Sequence, residues 1–222
     1  MADRKDRGDA VAVIGLGRFG SALALELAER GVEVLGVDSD PKIVQQLSGQ
    51  LTHVACADST DPDALTQLGV EEFGRVVVGI GGDIEASILT TSILADFGVP
   101  DIWAKSISRQ HSRILDRVGA HHVVQPEYDM GERVAHLVTG RMLDYVEIDE
   151  GYALVKTKAP GWAVGRTLGE LGIRTKYGVT VVGIKSPGGR FTYATSDTAI
   201  HGNTVLLVAG ETGMAERFAE ET

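Results

Sequence analysis

The run Val11-Ala12-Val13-Ile14-Gly15-Leu16-Gly17-Arg18-Phe19-Gly20, with Asp38 closing the next apolar run, decides the fold. It reads as strand, glycine turn, helix, strand, acid. Gly15 permits the tight turn, Gly17 lets a pyrophosphate approach the backbone, and Gly20 lets the helix lie close on the strand. The helix N-terminus offers N–H groups without intrahelical partners to the phosphates. Asp38, 18 residues beyond Gly20, is placed to accept hydrogen bonds from an adenosine ribose. Three spaced glycines alone carry little weight. Strand, helix and acid around them specify nucleotide binding.

Short apolar runs alternate with helical patterns through the first two thirds of the chain. The runs Ala10–Ile14, Val32–Asp38, Thr52–Ala55, Arg75–Ile80, Asp101–Ala104 and His122–Val124 are nearly continuous in apolarity, as strands buried on both faces should be. Helices are predicted between them over Gly20–Arg30, Pro41–Leu47, Pro62–Leu68, Ile84–Phe97 and Arg109–Val118. Gly31, Gly69, Gly98 and Gly119 follow four of these, where a left-handed residue ends a helix. The pattern makes an α/β fold, a doubly wound parallel sheet of the Rossmann kind. A further helix is predicted over Asp129–Leu143 with no strand of the same type after it. From about Asp149 the texture changes to Gly, Thr and short alternating runs: Tyr152–Lys156, Val179–Lys185, Phe191–Ala194 and Thr204–Ala209. These predict a small, largely antiparallel C-terminal α+β domain. The expected division is a tail over 1–9, a nucleotide-binding domain over 10–143 that includes the further helix, and a C-terminal domain over 144–222.

The 222 residues are 43% hydrophobic and carry a net charge of −10. Such a chain can bury a core, and its acidity argues against a nucleic-acid backbone or an anionic lipid surface as main partner. No run approaches the roughly 18 apolar residues that span a bilayer. The charged start Met1–Arg7 lacks the apolar core of a secretory signal. The single cysteine, Cys56, fits a reducing cytoplasm, and within Val54-Ala55-Cys56-Ala57 it is expected to be a small buried apolar residue.

Four further motifs follow the glycine turn in order: Asp38-Ser39-Asp40, Ala57-Asp58-Ser59-Thr60, Trp103-Ala104-Lys105 and Gln125-Pro126-Glu127-Tyr128-Asp129-Met130-Gly131. With them the chain resembles the RCK domain (KtrN or TrkA-N). Gly161-Trp162 and Leu171-Gly172-Ile173-Arg174-Thr175-Lys176-Tyr177-Gly178-Val179 resemble the attached TrkA-C domain. The resemblance covers nearly the whole chain beyond residue 10. It implies a KtrA/TrkA-type cytosolic regulatory subunit of a bacterial potassium uptake system. Such subunits are homo-oligomers built from dimers of RCK domains, usually a ring of eight. They lie peripherally on the inner face of the cell membrane, beneath a KtrB/TrkH-type potassium-translocating subunit. Nucleotide bound in the cleft changes the ring's shape and so gates that partner. The resemblance implies that the helix beyond Asp129 crosses to a partner subunit; packing of Met130, Val134, Leu137, Val138 and Leu143 on the chain's own sheet is the alternative. Some relatives bind cyclic di-AMP between C-terminal domains. Ile173 and Arg174 match that pattern, whereas Thr180 stands where those relatives carry Asn, so dimerisation alone is the other reading.

Ligands of open α/β sheets lie beyond the carboxyl ends of the strands. The expected site gathers Gly15, Gly17, Arg18, Phe19 and Gly20 of the turn with Asp38, Ser39, Asp58, Ser59, Lys105 and Glu127. Asp38 is assigned to the ribose. Asp58 looks like the family's adenine-side acid, although it or Asp61 could cap the helix near Pro62. Arg18 presents a planar guanidinium to phosphate oxygens, or is a solvated surface cation. Lys105 ends the fifth strand, toward the phosphates or toward water. Glu127 would face terminal phosphates and be repelled by them unless a divalent cation, Mg²⁺ or Ca²⁺, bridged the two. The resemblance implies such a cation beside the γ-phosphate of ATP; a helix-opening acid is the alternative. The turn and Asp38 serve ATP, ADP or NAD(H) alike, and Arg18, Lys105 and Glu127 add capacity for charge beyond a diphosphate, which favours ATP and ADP.

An NAD(P)-dependent dehydrogenase is the competing class. Its Tyr-x-x-x-Lys pair occurs only at Tyr152 and Lys156, in a segment that reads as a strand. The adjacent His121 and His122 point opposite ways on a strand and cannot share a zinc ion. Asp83 and Glu85 read as helix-start acids. The sequence therefore reads as a binding protein rather than an enzyme.

Overall fold

The computed structural model describes residues 9–138 and 142–221, and the tail expected at the N-terminus lies outside them but for its last residue. The described chain divides into two compact units, residues 1–128 and 129–222. The first holds a six-stranded sheet in the order β3-β2-β1-β4-β5-β6, with every pairing parallel. Its strands are β1 (Val11–Ile14), β2 (Val34–Asp38), β3 (His53–Cys56), β4 (Arg75–Val78), β5 (Asp101–Lys105) and β6 (His122–Val124). Its helices are α1 (Arg18–Glu29), α2 (Pro41–Leu47), α3 (Pro62–Gln67), α4 (Ile84–Asp96) and α5 (Arg109–Val118). The apolar strand runs are explained by two cores. Ala12 and Ile14 of β1 pack with Leu65, Leu94 and Leu115 of α3, α4 and α5. Val11 and Val13 pack with Ala24 and Leu47 of α1 and α2. Successive residues of one strand thus feed opposite faces of the sheet.

The strand order reverses between β1 and β4, which opens a crevice at their carboxyl ends. Strand β4 stops at Val78, two residues short of expectation. Gly79 still donates its N–H to the Ile14 carbonyl at 2.7 Å, and the chain then turns away through Gly79–Gly82. Helix α1 starts at Arg18, two residues earlier than expected, because Gly17 itself serves as its N-cap. Cys56 is exposed, against expectation. It ends an edge strand that is only partly covered, and its Sγ donates to the Ser39 carbonyl at 3.6 Å.

Helix α6 spans Pro126–Val138, not 129–143. Pro126 suits a first helical turn, where its missing N–H costs nothing. Leu143 belongs instead to β7 (Met142–Asp149), a strand the sequence did not suggest. In the second unit β7, β8 (Tyr152–Lys158), β9 (Thr180–Lys185), β10 (Thr192–Tyr193) and β11 (Val205–Glu211) form an antiparallel sheet in the order β10-β9-β11-β8-β7. Short helices α7 (Leu168–Leu171) and α8 (Ile173–Tyr177) and the unexpected α9 (Thr212–Glu220) complete it. Phe218 and Ala215 of α9 join Leu171, Ile173, Leu206 and Val208 in one core. Among the described residues no helix is long and apolar enough to cross a membrane.

Candidate functional site

The glycine turn is held by backbone contact so close that only hydrogen fits. Gly15 has φ +86°, a conformation that side chains other than glycine's rarely adopt. A Cβ on Gly20 would lie 1.9 Å from the Gly15 carbonyl oxygen, and one on Gly79 would lie 2.7 Å from the same atom. Gly17 differs: a Cβ there would meet nothing within 4 Å. Its missing side chain leaves open space above the turn, on the side of the cleft that Gly17 lines. Helix α1 has no side-chain cap and no acid in its first turn, so its free N–H groups and positive end face that space.

Asp38 is locked to the turn. Its Oδ2 accepts from the Leu16 N–H at 2.6 Å and its Oδ1 from the Asp40 N–H at 2.8 Å. Each oxygen keeps a lone pair for a ribose hydroxyl. Asp61, not Asp58, caps α3, accepting from the Asp63 N–H at 3.0 Å. Asp58 instead accepts from the backbone and hydroxyl of Thr60 at 2.9 and 2.7 Å, and these bonds hold its carboxyl below the usual range. The Ser59 hydroxyl pairs with Thr90 of α4 at 2.8 Å, inside the protein.

Six of the eleven expected site residues, Gly15, Gly17, Asp38, Ser39, Asp58 and Ser59, line one cleft of about 530 Å³ at the switch point. The loop Gly79–Asp83 forms its other wall and was missed from sequence, although glycines directly after an apolar strand are the mark it left. Asp83 caps α4, accepting from the Ala86 N–H at 3.0 Å, as the helix-start reading has it.

The remaining charged residues gather a short way along the sheet edge. Lys105 is buried, at 8% exposure, and its Nζ donates to Glu127 Oε1 at 2.5 Å. The ammonium also lies 5.7 Å from the centre of the Phe19 ring. A Cβ on Gly81, a wall of the cleft, would stand 3.1 Å from that Nζ. The hydrogen bond from Lys105 lowers the carboxyl pKa of Glu127 against the opposing push of burial, and Arg18 adds to the same direction. Among the described residues no group of three or more His, Cys, Asp and Glu side chains comes together as a metal site. Glu127 brings a single carboxylate, and its partner in this chain is an ammonium.

A Rossmann-type unit with its cleft at the switch point, joined to a small antiparallel unit, defines the class of RCK proteins. The TrkA-N domain model matches residues 11–126 and the TrkA-C domain model residues 152–222. The chain belongs to the TrkA-N/TrkA-C family. It is 41% identical to Ktr system potassium uptake protein C of Bacillus subtilis (strain 168), over 93% of this chain and 94% of that one. Identity to Ktr system potassium uptake protein A of the same organism is 34%, over 95% of each. Among solved structures, the GsuK RCK domain superposes with a TM-score of 0.66 at 20% identity, over 96% of this chain and 47% of that one. The GsuK channel bound to NAD gives 0.65 at 19%, over 98% and 40%.

Proposed function

We propose that the chain is a cytosolic nucleotide-sensing regulatory subunit of a bacterial potassium uptake system. In this reading it lies peripherally on the inner face of the cell membrane, under a KtrB/TrkH-type potassium-translocating subunit. The observation that carries the reading is the open cleft over Gly17, bounded by Asp38, in a chain similar along its length to Ktr system potassium uptake proteins. The nucleotide-binding domain is taken as 10–143, helix α6 included, and the C-terminal domain as 144–222. Gly15, Gly17 and Gly20 form the phosphate turn, with Arg18 and Phe19 at the head of α1. Asp38 and Ser39 take the ribose, and Asp58 with Ser59 the adenine side.

ATP and ADP are the ligands favoured, because Arg18, Lys105 and Glu127 would add capacity for charge beyond a diphosphate. NAD(H) is the second reading: the GsuK channel is described as bound to NAD, and Asp38 serves any adenosine ribose. A Mg²⁺ or Ca²⁺ ion bridging Glu127 and the phosphates would take its remaining ligands from the nucleotide and from a second copy of the chain. Helix α6 supports such a copy. It buries none of its residues, and Met130, Val134 and Val138 are 53%, 42% and 77% exposed. A partner crossing there gives an RCK dimer, and dimers close into a ring, taken as eight subunits. The C-terminal domain is assigned to dimerisation. There Ile173 is core and Arg174 Nε donates to Thr180 Oγ1 at 3.0 Å, and a thermal-shift screen with cyclic di-AMP tests a ligand role.

The protein is read as a binding protein, not an enzyme, and turnover of NADH with a panel of carbonyl compounds would reverse that. The principal test is calorimetric titration coupled to light scattering. ATP is expected to bind, to bind more tightly with Mg²⁺ or Ca²⁺ than in EDTA, and to alter the shape of an oligomer. Failure of every adenosine phosphate to bind ends the reading.

A further inference from the structure

The loop Ala57–Thr60, which follows β3 and lines the cleft, has one buried residue, Ser59, at 8% exposure. Asp58 and Thr60 on either side of it bond to each other, which shapes the loop without tying it to the rest of the protein. Ser59 supplies the tie. Thr90 of α4 is fully buried, and its Oγ1 lies 2.8 Å from Ser59 Oγ and donates to the Ser59 carbonyl at 3.2 Å. A threonine hydroxyl carries a single proton. With that proton given to the carbonyl, the bond between the two hydroxyls takes its proton from Ser59. The side-chain proton of Ser59 is thus spent inside the protein, and one threonine grips this residue at two points.

The helix that supplies this grip also walls the cleft. Asp83 caps α4, Ala86 lies in its first turn, and both line the cleft. Ala86 and Thr90 are four residues apart and share one face of the helix. What the grip holds in place is the neighbouring carboxylate. Both bonds from Thr60 go to Oδ1 of Asp58, which leaves Oδ2 for a donor on the ligand. In adenine that donor is the exocyclic amino group. A hydrogen bond to a charged acceptor weakens steeply when its geometry slips, so the residue that fixes Ser59 fixes this contact beside it.

We propose that Thr90 is the positioning residue of the base side: through its two bonds to Ser59 it sets the place of the Asp58 carboxylate, and Ser59 serves the ligand through Thr90 rather than by touching it. The inference rests on the reading of Asp58 as the adenine-side acid and adds to it how α4 fixes that acid. Valine in place of Thr90 keeps the shape and loses both bonds. Serine keeps both bonds and loses one methyl group.

Calorimetric titration with ATP and with purine riboside triphosphate, which lacks only the amino group of adenine, tests this. The wild type is expected to favour ATP about tenfold, the scale of one hydrogen bond to a charged group. Thr90→Val should weaken ATP by about the same factor and leave the purine analogue unchanged, so that the preference disappears. Thr90→Ser should restore it. Ser59→Ala keeps the carbonyl bond and loses the hydroxyl one, so its preference should fall roughly threefold; in the Thr90→Val background it should cost nothing more. A further loss there would mean that Ser59 touches the ligand, and would overturn the proposal. So would a preference for ATP that survives Thr90→Val, or one that serine fails to restore. If Thr90→Val lost both compounds alike, Ser59→Ala would decide, a lowered preference supporting the proposal and an unchanged one overturning it. A wild type that binds the two compounds equally overturns the proposal and leaves nucleotide binding standing. Absence of binding by either compound ends the functional reading itself, which is a separate failure.

Discussion

The two ends of the sheet's carboxyl edge are built on different principles. At the glycine-turn end everything is backbone or bonded to backbone: Gly15, Gly20 and Gly79 touch main chain to main chain, and Asp38 is fixed by the Leu16 and Asp40 amides. At the β5 end a pair of side chains, Lys105 and Glu127, stands a short way along the sheet edge from the cleft. Backbone contacts cannot be remade one at a time, so the first end suits the ribose and first phosphates that every proposed ligand shares. A side-chain pair has two states separated by little energy, so the second end suits the part in which ligands differ.

The sharpest way to break this contrast is to add one methyl group at two neighbouring glycines. Gly20→Ala forces a Cβ to within 1.9 Å of the Gly15 carbonyl, and helix α1 must move off β1. A loss of about 3 kcal/mol or more is expected, in the range of severe packing clashes, seen as a lowered melting temperature and no nucleotide binding. Gly17→Ala meets nothing within 4 Å and has an ordinary φ of −62°. Its melting temperature should match the wild type, while nucleotide affinity falls because the methyl occupies the phosphate approach. Equal behaviour of the two variants would mean that the turn is not built around a ligand.

Asp38→Ala comes next in size. It leaves the Leu16 N–H without its acceptor at a partly buried position, which costs about 1–3 kcal/mol, and it removes the proposed ribose contact. ATP and ADP should weaken together. Asp38→Asn keeps one acceptor oxygen and should recover most of the stability. Chemical denaturation beside ligand titration separates the two losses.

The same division explains what could be read in the sequence. Strands β1, β2, β4 and β5 were visible because two cores make them apolar on both faces, and the glycine turn because close backbone contact admits only one residue type. Pairing between Lys105 and Glu127, 22 positions apart, leaves no local trace; only the fold brings β5 and α6 together. Strand β7 was hidden for a related reason. It is an edge strand with only Tyr145 buried, so its apolar residues merge with those of α6 into one apparent helix. Helix α9 starts without a capping side chain and so announces no beginning. The Gly79–Gly82 wall was written plainly enough, but glycines that line a cleft resemble glycines that merely turn the chain.

The smallest expected effect concerns acid, and it would show whether the β5 end is also the weaker end of the fold. Strand β5 passes through Ser106–Ser108 directly into α5, whose third residue is His111. That ring is 2% exposed, and neither nitrogen has a hydrogen-bond partner among the described residues. Burial disfavours its cation and pushes its pKa down from 6.5. In the unfolded chain the ring titrates near the ordinary value, so below about pH 6.5 the unfolded state binds a proton that the folded state resists. Stability is therefore full above that pH and declines as pH falls through it. The carboxylates Asp58 and Glu127 also have lowered pKa values and stabilise the fold by being ionised, but their contribution is lost only at lower pH, below about 4.5. Melting temperatures measured from pH 8 to pH 5 should fall in the wild type and stay level in His111→Leu. A variant that loses stability in step with the wild type would place the acid sensitivity elsewhere. Hydrogen exchange at pH 5.5 localises the effect: opening is expected first in β5 and α5, ahead of the glycine turn and β1.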